Sequence, residues 1–424
     1  MERTIAPHKH AIKAPNYIPV STVSFKNGSH LFCQEGGSQE LVSLTIRLNA
    51  GSKLQDKFLT AALCNDLLLS GTKNHKADEI SEKIDFLGAY INSDYNQDFT
   101  TVQLFCMRKY FAELIPYLYE IIFEPLFPES EFKRMVQKKK QNFLVNNEKV
   151  HQKSRAVFFN TLFGDENCYG ALLKEEHFEE VSLEEVKQFH NSYYHASNME
   201  LFMAGKFGDE EIQLVEQFFG SEKKDIEFGE FNNTILYPKA KIIHQHKANA
   251  LQSSIRLGYG NFDAKHPDYL NMKIVSTILG GYFGSRLMKN IREDKGYTYG
   301  IGSFQVSLLG TGYFGISTEV GSQVTNNALD EIYKELNLMK TVLIDADELN
   351  LVKNYMLGNI LNSADGIFNQ AELFKNLRSH NLDLDHIHQL ADRVRNIQPE
   401  EILAISNKYL DRSLMHEIVI GAIN

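Results

Sequence analysis

Apolar positions recur at helical spacing in several stretches of the chain, separated by shorter runs with strand character. Phe58–Ser70 is apolar almost throughout and stops at Gly71, a residue suited to closing a helix. Phe111–Phe123 carries an apolar stripe and ends before Pro125. Glu131–Glu148 is longer and mostly polar, which predicts a helix with much of its surface in water. Asn326–Leu343 and Ala346–Ile360 predict a matching helix pair later in the chain. Strands are predicted at Phe99–Cys106 and Gly312–Thr318, with weaker β character over Thr234–His246.

The pattern repeats itself. Ser182 to Tyr194 reads like Gln398 to Leu410: a polar start, apolar positions at helical spacing, then a Tyr. Each copy leads into a short apolar strand ending in Gly, Met199–Gly205 in one and His416–Gly421 in the other. Glu184 falls against Glu400, Tyr193 against Tyr409 and Gly205 against Gly421, all at one offset. Upstream, Ser43–Leu48 resembles Ser253–Leu257, with Arg47 against Arg256. This period is far too long for a solenoid repeat. It predicts two similar α+β domains in tandem, residues 1–219 and 220–424, each with strands and helices in the same order. The charged stretch Ser221–Asn233 is the expected linker.

Composition narrows the function classes. The chain has 424 residues, 43% hydrophobic and 23% charged, enough apolar material for two sizeable cores. Its formal net charge of −10, without a basic block, argues against nucleic-acid or anionic-membrane partners. The compact basic run Lys138–Lys140 lies in an expected helix and reads as a solvated face. Met1–Val20 has no apolar core of a secretory signal, and no stretch is long enough to span a membrane. A cytoplasmic location is expected. Cys33, Cys64, Cys106 and Cys168 are widely spaced and form no CxxC pair, so buried free thiols are expected.

Landmarks spread over nearly the whole chain resemble the insulinase/pitrilysin family of zinc peptidases. They are Asn27-Gly28, Ala50-Gly51-Ser52, Gly71-Thr72, Gly88-Ala89, Leu162-Phe163-Gly164 and Cys168-Tyr169-Gly170, in family order. The resemblance implies two similar domains of LuxS/processing-peptidase-like fold, each a mostly antiparallel sheet packed with helices. Active members bind zinc through an inverted H-x-x-E-H motif on the first helix. Residues i and i+4 share one helical face, so two imidazoles can hold one ion while the intervening Glu serves as general base. A further Glu, one long helix later, completes the protein ligands.

Counting back from Gly71-Thr72, the two His positions are Ala62 and Asp66, and the Glu position is Asn65. The distal Glu is expected near Gln137–Asn142, a window with no carboxylate. Cys64 and Asp66 do not substitute, because residues two apart lie about 200° around a helix. No catalytic residue and no metal site are expected in this chain by itself.

The second half differs. Ile291 to Gly300 resembles the family's substrate-binding signature, an Arg followed seven residues later by a Tyr, here Arg292 and Tyr299. In the family this pair reaches across a closed chamber towards the zinc of the opposing domain. A fixed phenol can donate to the oxyanion formed during peptide hydrolysis, and a guanidinium can hold backbone carbonyls. The resemblance therefore implies a zinc-less subunit that lends Arg292 and Tyr299 to a zinc-bearing homologous partner acting on an unfolded peptide. The alternative is a non-enzymatic structural or peptide-binding homodimer of the same fold. Two histidine groups, His244 with His246 and His380 with Asp383, Asp385, His386 and His388, lack a recognised ligand pattern and read as surface residues. No P-loop is present, and Gly280-Gly281 with Gly284 lacks the context of a dinucleotide fingerprint.

Overall fold

A computed structural model describes residue 12, residues 15–220 and residues 238–422. Its described strands build two sheets. The first comprises β1 (Ser21–Ser24), β2 (His30–Glu35), β3 (Leu41–Leu48), β4 (Tyr90–Tyr95), β5 (Thr100–Met107) and β6 (Met199–Gly205), in the order β1-β2-β6-β3-β5-β4. The second comprises β7 (Ile242–His246), β8 (Gln252–Asn261), β9 (Thr298–Leu308), β10 (Thr311–Gly321) and β11 (His416–Gly421), in the order β7-β11-β8-β10-β9.

Without β1 the two orders are the same. In each, one parallel pair, β2 with β6 or β7 with β11, joins an otherwise antiparallel set. The strands that carry the sequence repeat, β6 and β11, occupy the same place in their sheets. The helices before them, Leu183–Tyr193 and Pro399–Tyr409, both start with a capping box, at Ser182 and at Gln398. The chain is thus α+β, with two similar sheets that each pack against helices. The expected linker Ser221–Asn233 and the first part of Thr234–His246 lie outside the described residues.

Each sheet buries one core. The Phe111–Phe123 helix inserts Phe111, Leu114, Ile115, Leu118, Ile121 and Ile122 under the first sheet, all fully buried. Each such side chain contributes about 1.5–3 kcal/mol of burial. The second core gathers the Tyr269–Gly280 and Thr325–Thr341 helices under β8, β9 and β10. Among the described residues, no helix is long and apolar enough to cross a membrane.

The two halves cross-pack through one helix each. Val150–Phe163 lies on β8 and β11, and Ile367–Ser379 lies on β6 and β2. Phe158 and Leu162 bury against Ile418 and Ile420 in a separate apolar cluster at the first of these contacts. The repeated arginines lock both. Arg47 on β3 donates from Nη1 to the Lys375 carbonyl at 2.7 Å and to Ser379 Oγ at 2.6 Å, and pairs with Glu200. Arg256 on β8 donates from Nε to Ser154 Oγ at 3.1 Å.

Some boundaries differ from the sequence pattern. The helix expected over Phe58–Ser70 runs from Thr60 to Leu67 only. Leu59 has a left-handed backbone, φ 73°, which bars an earlier start, and the chain leaves the last turn before Gly71, φ 105°.

Candidate functional site

The Thr60–Leu67 helix is almost wholly buried and wedged between β4, the Glu129–Asn147 helix and the Leu183–Tyr193 helix. It holds Ala62, Asn65 and Asp66, the positions at which the family resemblance leads one to expect the zinc motif. Ala62 lines a cavity of about 630 Å³ and contributes only a methyl group. Asn65 is buried. Its Nδ2 donates to the Ser93 carbonyl at 3.5 Å, and its Oδ1 has no hydrogen-bond partner among the described residues. Asp66 is already paired, with Lys139 Nζ 2.8 Å from its Oδ2.

These residues do not fit a zinc ion. One offers no donor atom, one offers a neutral amide, and the single carboxylate is held by an ammonium group. Cys64 faces the other way, into the core, where burial pushes its thiol up to about 12 against a smaller opposing hydrogen bond with Tyr194. Among the described residues, no group of three or more His, Cys, Asp or Glu side chains is placed to hold a metal.

The lysine run behaves differently from the solvated face that its sequence suggests. Lys139 crosses to Asp66 and lies 6.0 Å from the Tyr95 ring centroid. Lys140 spans to Glu175 at 3.3 Å and to Glu179 at 2.8 Å. Lys139 comes from the Gln137–Asn142 window, where the family resemblance leads one to expect the distal Glu. A fixed positive charge therefore stands beside the helix on which the family resemblance leads one to expect the metal motif.

A knot at Asp98 shapes the cavity wall. Asp98 accepts from Tyr169 Oη at 2.9 and 3.0 Å and from Lys53 Nζ at 3.1 Å. Gly51 lies so close that a Cβ there would meet the Gln97 carbonyl oxygen at 2.3 Å. This explains the small-Gly-Ser turn of the sequence. Burial and the Asp98 charge hold the Tyr169 phenol far above its ordinary range, so it remains a hydrogen-bond donor.

In the second half, Arg292 sits in a π-helical stretch, Met288–Asp294, a local irregularity often found at functional sites. Its guanidinium lies 4.4 Å over the ring centroid of exposed Phe283. Tyr299 stands on β9, an edge strand of its sheet among the described residues, with 93% of its surface open to solvent. Neither residue lines the cavity that contains Ala62. The segment before them is well anchored. Arg286 grips Glu348 with two bonds of 2.8 Å, and Asn290 Nδ2 donates to Glu331 at 2.9 Å and Glu335 at 2.7 Å. Gly280 serves close helix–strand packing, since a Cβ there would meet Ser303 N at 2.5 Å.

The histidine groups are dispersed. His244 Nε2 contacts Glu417 Oε1 at 2.8 Å, on its own sheet. His380 Nδ1 lies 3.4 Å from Ser307 Oγ, while His388 packs edge-on against Tyr17 and His386 lies near Tyr269.

Fold and site together define an insulinase-type peptidase scaffold in which Ala62, Asn65 and the paired Asp66 do not fit a zinc ion. Residues 34–195 match the family profile described as "Insulinase (Peptidase family M16)", and residues 180–356 match "Peptidase M16 inactive domain". The chain belongs to peptidase family M16. It is 22% identical over 353 residues to the Bacillus subtilis protein named "Uncharacterized zinc protease YmxG", covering 79% of this chain and 82% of that one. It is 21% identical over 328 residues to the Helicobacter pylori "Non-peptidase homolog YmxG", covering 74% and 73%. The crystal structure of a peptidase M16 inactive domain from Pseudomonas fluorescens superposes with a TM-score of 0.85 at 21% identity, covering 96% of this chain and 98% of that one.

Proposed function

We propose that this chain is the zinc-less subunit of a two-chain peptidase and lends Arg292 and Tyr299 to a homologous subunit that bears the metal. One contrast carries the reading. The Thr60–Leu67 helix offers an alanine, an amide and a paired carboxylate, while the second half carries Arg292, half-buried over Phe283, and Tyr299, exposed on an edge strand.

The partner would supply the metal and its activated water. Arg292 has no ion-pair partner among the described residues, so its guanidinium is free to take backbone carbonyls of a substrate. The Tyr299 phenol is exposed and can donate to the oxygen on which negative charge builds. Both groups point to an unfolded peptide, which joins a sheet edge as an added strand. β4 and β9 are edge strands open to such pairing.

The non-peptidase name of one relative favours a second reading, a self-associating chain with a structural or peptide-binding role. One experiment separates the two. The chain is purified alone and together with a homologous chain that carries an intact H-x-x-E-H motif, and turnover of a quenched peptide is followed. The proposal expects turnover only when both chains are present. Chelator-sensitive cleavage by this chain alone, or no gain in turnover when it joins the partner, would contradict it.

A further inference from the structure

The two contacts between the halves are built alike but charged differently. At the first sheet, Arg47 on β3 and Arg378 on the Ile367–Ser379 helix both pair with Glu200, which stands directly across the ladder from Arg47. At the second sheet, Arg256 on β8 neighbours Arg155 on the Val150–Phe163 helix, close enough that the charge of Arg155 acts on it. The residue across the ladder from Arg256 is Ile418, apolar and fully buried. No described carboxylate forms an ion pair with Arg155 or Arg256.

Three elements supply hydrogen-bond donors at this second contact. Arg256 is half-buried and uses only its Nε, on Ser154 Oγ at 3.1 Å, so its two Nη groups bond to no described residue. Arg155 is exposed and lies 5.7 Å over the Phe159 ring centroid. Tyr313 on β10 is half-buried and near enough to both arginines that their charges act on its phenol. Burial raises that phenol more than the arginines lower it, so it stays protonated and donates. Burial first, and then the Arg155 charge, works against the charge of Arg256, and Glu319 offsets them less. The Glu319 carboxylate is turned to His151, at 3.7 Å. Partly desolvated guanidinium groups with unused N–H bonds are the chemistry that takes an oxyanion.

We propose that Arg155, Arg256 and Tyr313 form a binding site for a small oxyanion of the phosphate class, which takes at the second contact the place that Glu200 holds at the first. Arg256 presents its two Nη groups to the anion, Arg155 reaches it from the helix, and the Tyr313 hydroxyl donates to it. Arg155 belongs to the first half, while Arg256 and Tyr313 belong to the second sheet, so the bound anion ties the halves together. The site is independent of the role of Arg292 and Tyr299.

Isothermal titration calorimetry of the purified full chain at fixed ionic strength tests this. Inorganic phosphate probes for a free ion, and phenyl phosphate probes for a phosphate carried on a larger molecule. The expected result is saturable one-to-one binding of at least one of them, with no matching response to sodium chloride. Arg155→Ala, a change at an exposed side chain, weakens that binding at least about tenfold. Arg256→Lys keeps the charge, loses the planar fork and also weakens it. Arg378→Ala, at the other contact, leaves it unchanged. The thermal midpoint rises with the bound probe in the unaltered chain and stays still in Arg155→Ala. No saturable binding of either probe, undiminished affinity in Arg155→Ala or Arg256→Lys, or an equal loss in Arg378→Ala would overturn the inference. None of these results bears on the need for both chains in peptide turnover.

Discussion

Lys139 Nζ lies 2.8 Å from Asp66 Oδ2 and joins two helices at the place where the family resemblance leads one to expect a zinc site. The pair is half-open, with side-chain exposures of 23% and 35%, so its own stabilising effect is small, about 0–1 kcal/mol. Its main consequence is electrostatic. An ammonium group at this position opposes the binding of any divalent cation.

That opposition can be measured by rebuilding the site. Ala62→His with Asp66→His places two imidazoles one turn apart on one helical face. Adding Lys139→Glu removes the ammonium and supplies a carboxylate. Zinc titration monitored by a competing chromophoric chelator is expected to show at least about tenfold tighter binding in the triple variant than in the double. Equal affinity in the two would show that Lys139 has no bearing on metal exclusion.

The arginine locks between the halves predict unequal losses. Arg47 is nearly buried, and burial works against its charge while Glu200 supports it. Arg47→Ala removes the bonds to Ser379 and the Lys375 carbonyl and leaves Glu200 with Arg378 alone. The expected cost is about 2–3 kcal/mol. Among the described residues Arg256 makes one side-chain bond, to Ser154, and has no carboxylate partner, so Arg256→Ala is expected to cost less, about 1 kcal/mol. Urea unfolding of both variants checks the order. A larger loss for Arg256→Ala would contradict it.

His416 gives the fold an acid-sensitive point. It is 2% exposed on β11, and burial holds its pKa below the ordinary value. Its Nδ1 accepts the Lys241 backbone N–H at 3.1 Å, which requires a neutral ring. The unfolded chain binds this proton near pH 6.5, and the folded chain binds it only at lower pH. The unfolded state therefore holds more protons in between, and stability falls as pH drops below about 6.5. The urea midpoint is expected to fall between pH 7.5 and 5.5. His416→Asn, which keeps an acceptor and cannot titrate, is expected to fall less. An equal fall in both would remove His416 from the account.

The repeat of Glu184 with Glu400 and Gly205 with Gly421 exposed the twofold organisation, because both copies face the same demands on capping and strand ends. At Ala62 the absence of a donor atom was equally legible, since a side chain without a lone pair cannot bind a metal in any fold. Lys139 was not legible. On its own helix it is one residue of a basic run, and its meaning depends on that helix lying against Thr60–Leu67. The cross-packing of Val150–Phe163 and Ile367–Ser379 was hidden for the same reason: an apolar stripe does not say which sheet it covers. Asp165 and Glu166 read as ordinary loop residues until the cavity beside Ala62 brings them together. The late start of the first helix turned on Leu59, whose left-handed backbone no residue preference announces.

The assisting role of the second half is tested most directly by the rate of peptide cleavage in the two-chain preparation. Arg292→Ala and Tyr299→Phe, each made in this chain only, are compared with the unaltered pair by kcat/KM on a quenched peptide. The account predicts a fall of about 10²-fold or more for each, with kcat carrying most of the loss for Tyr299→Phe because its bond forms chiefly in the transition state. Cleavage as fast in the two variants as in the unaltered pair would contradict it.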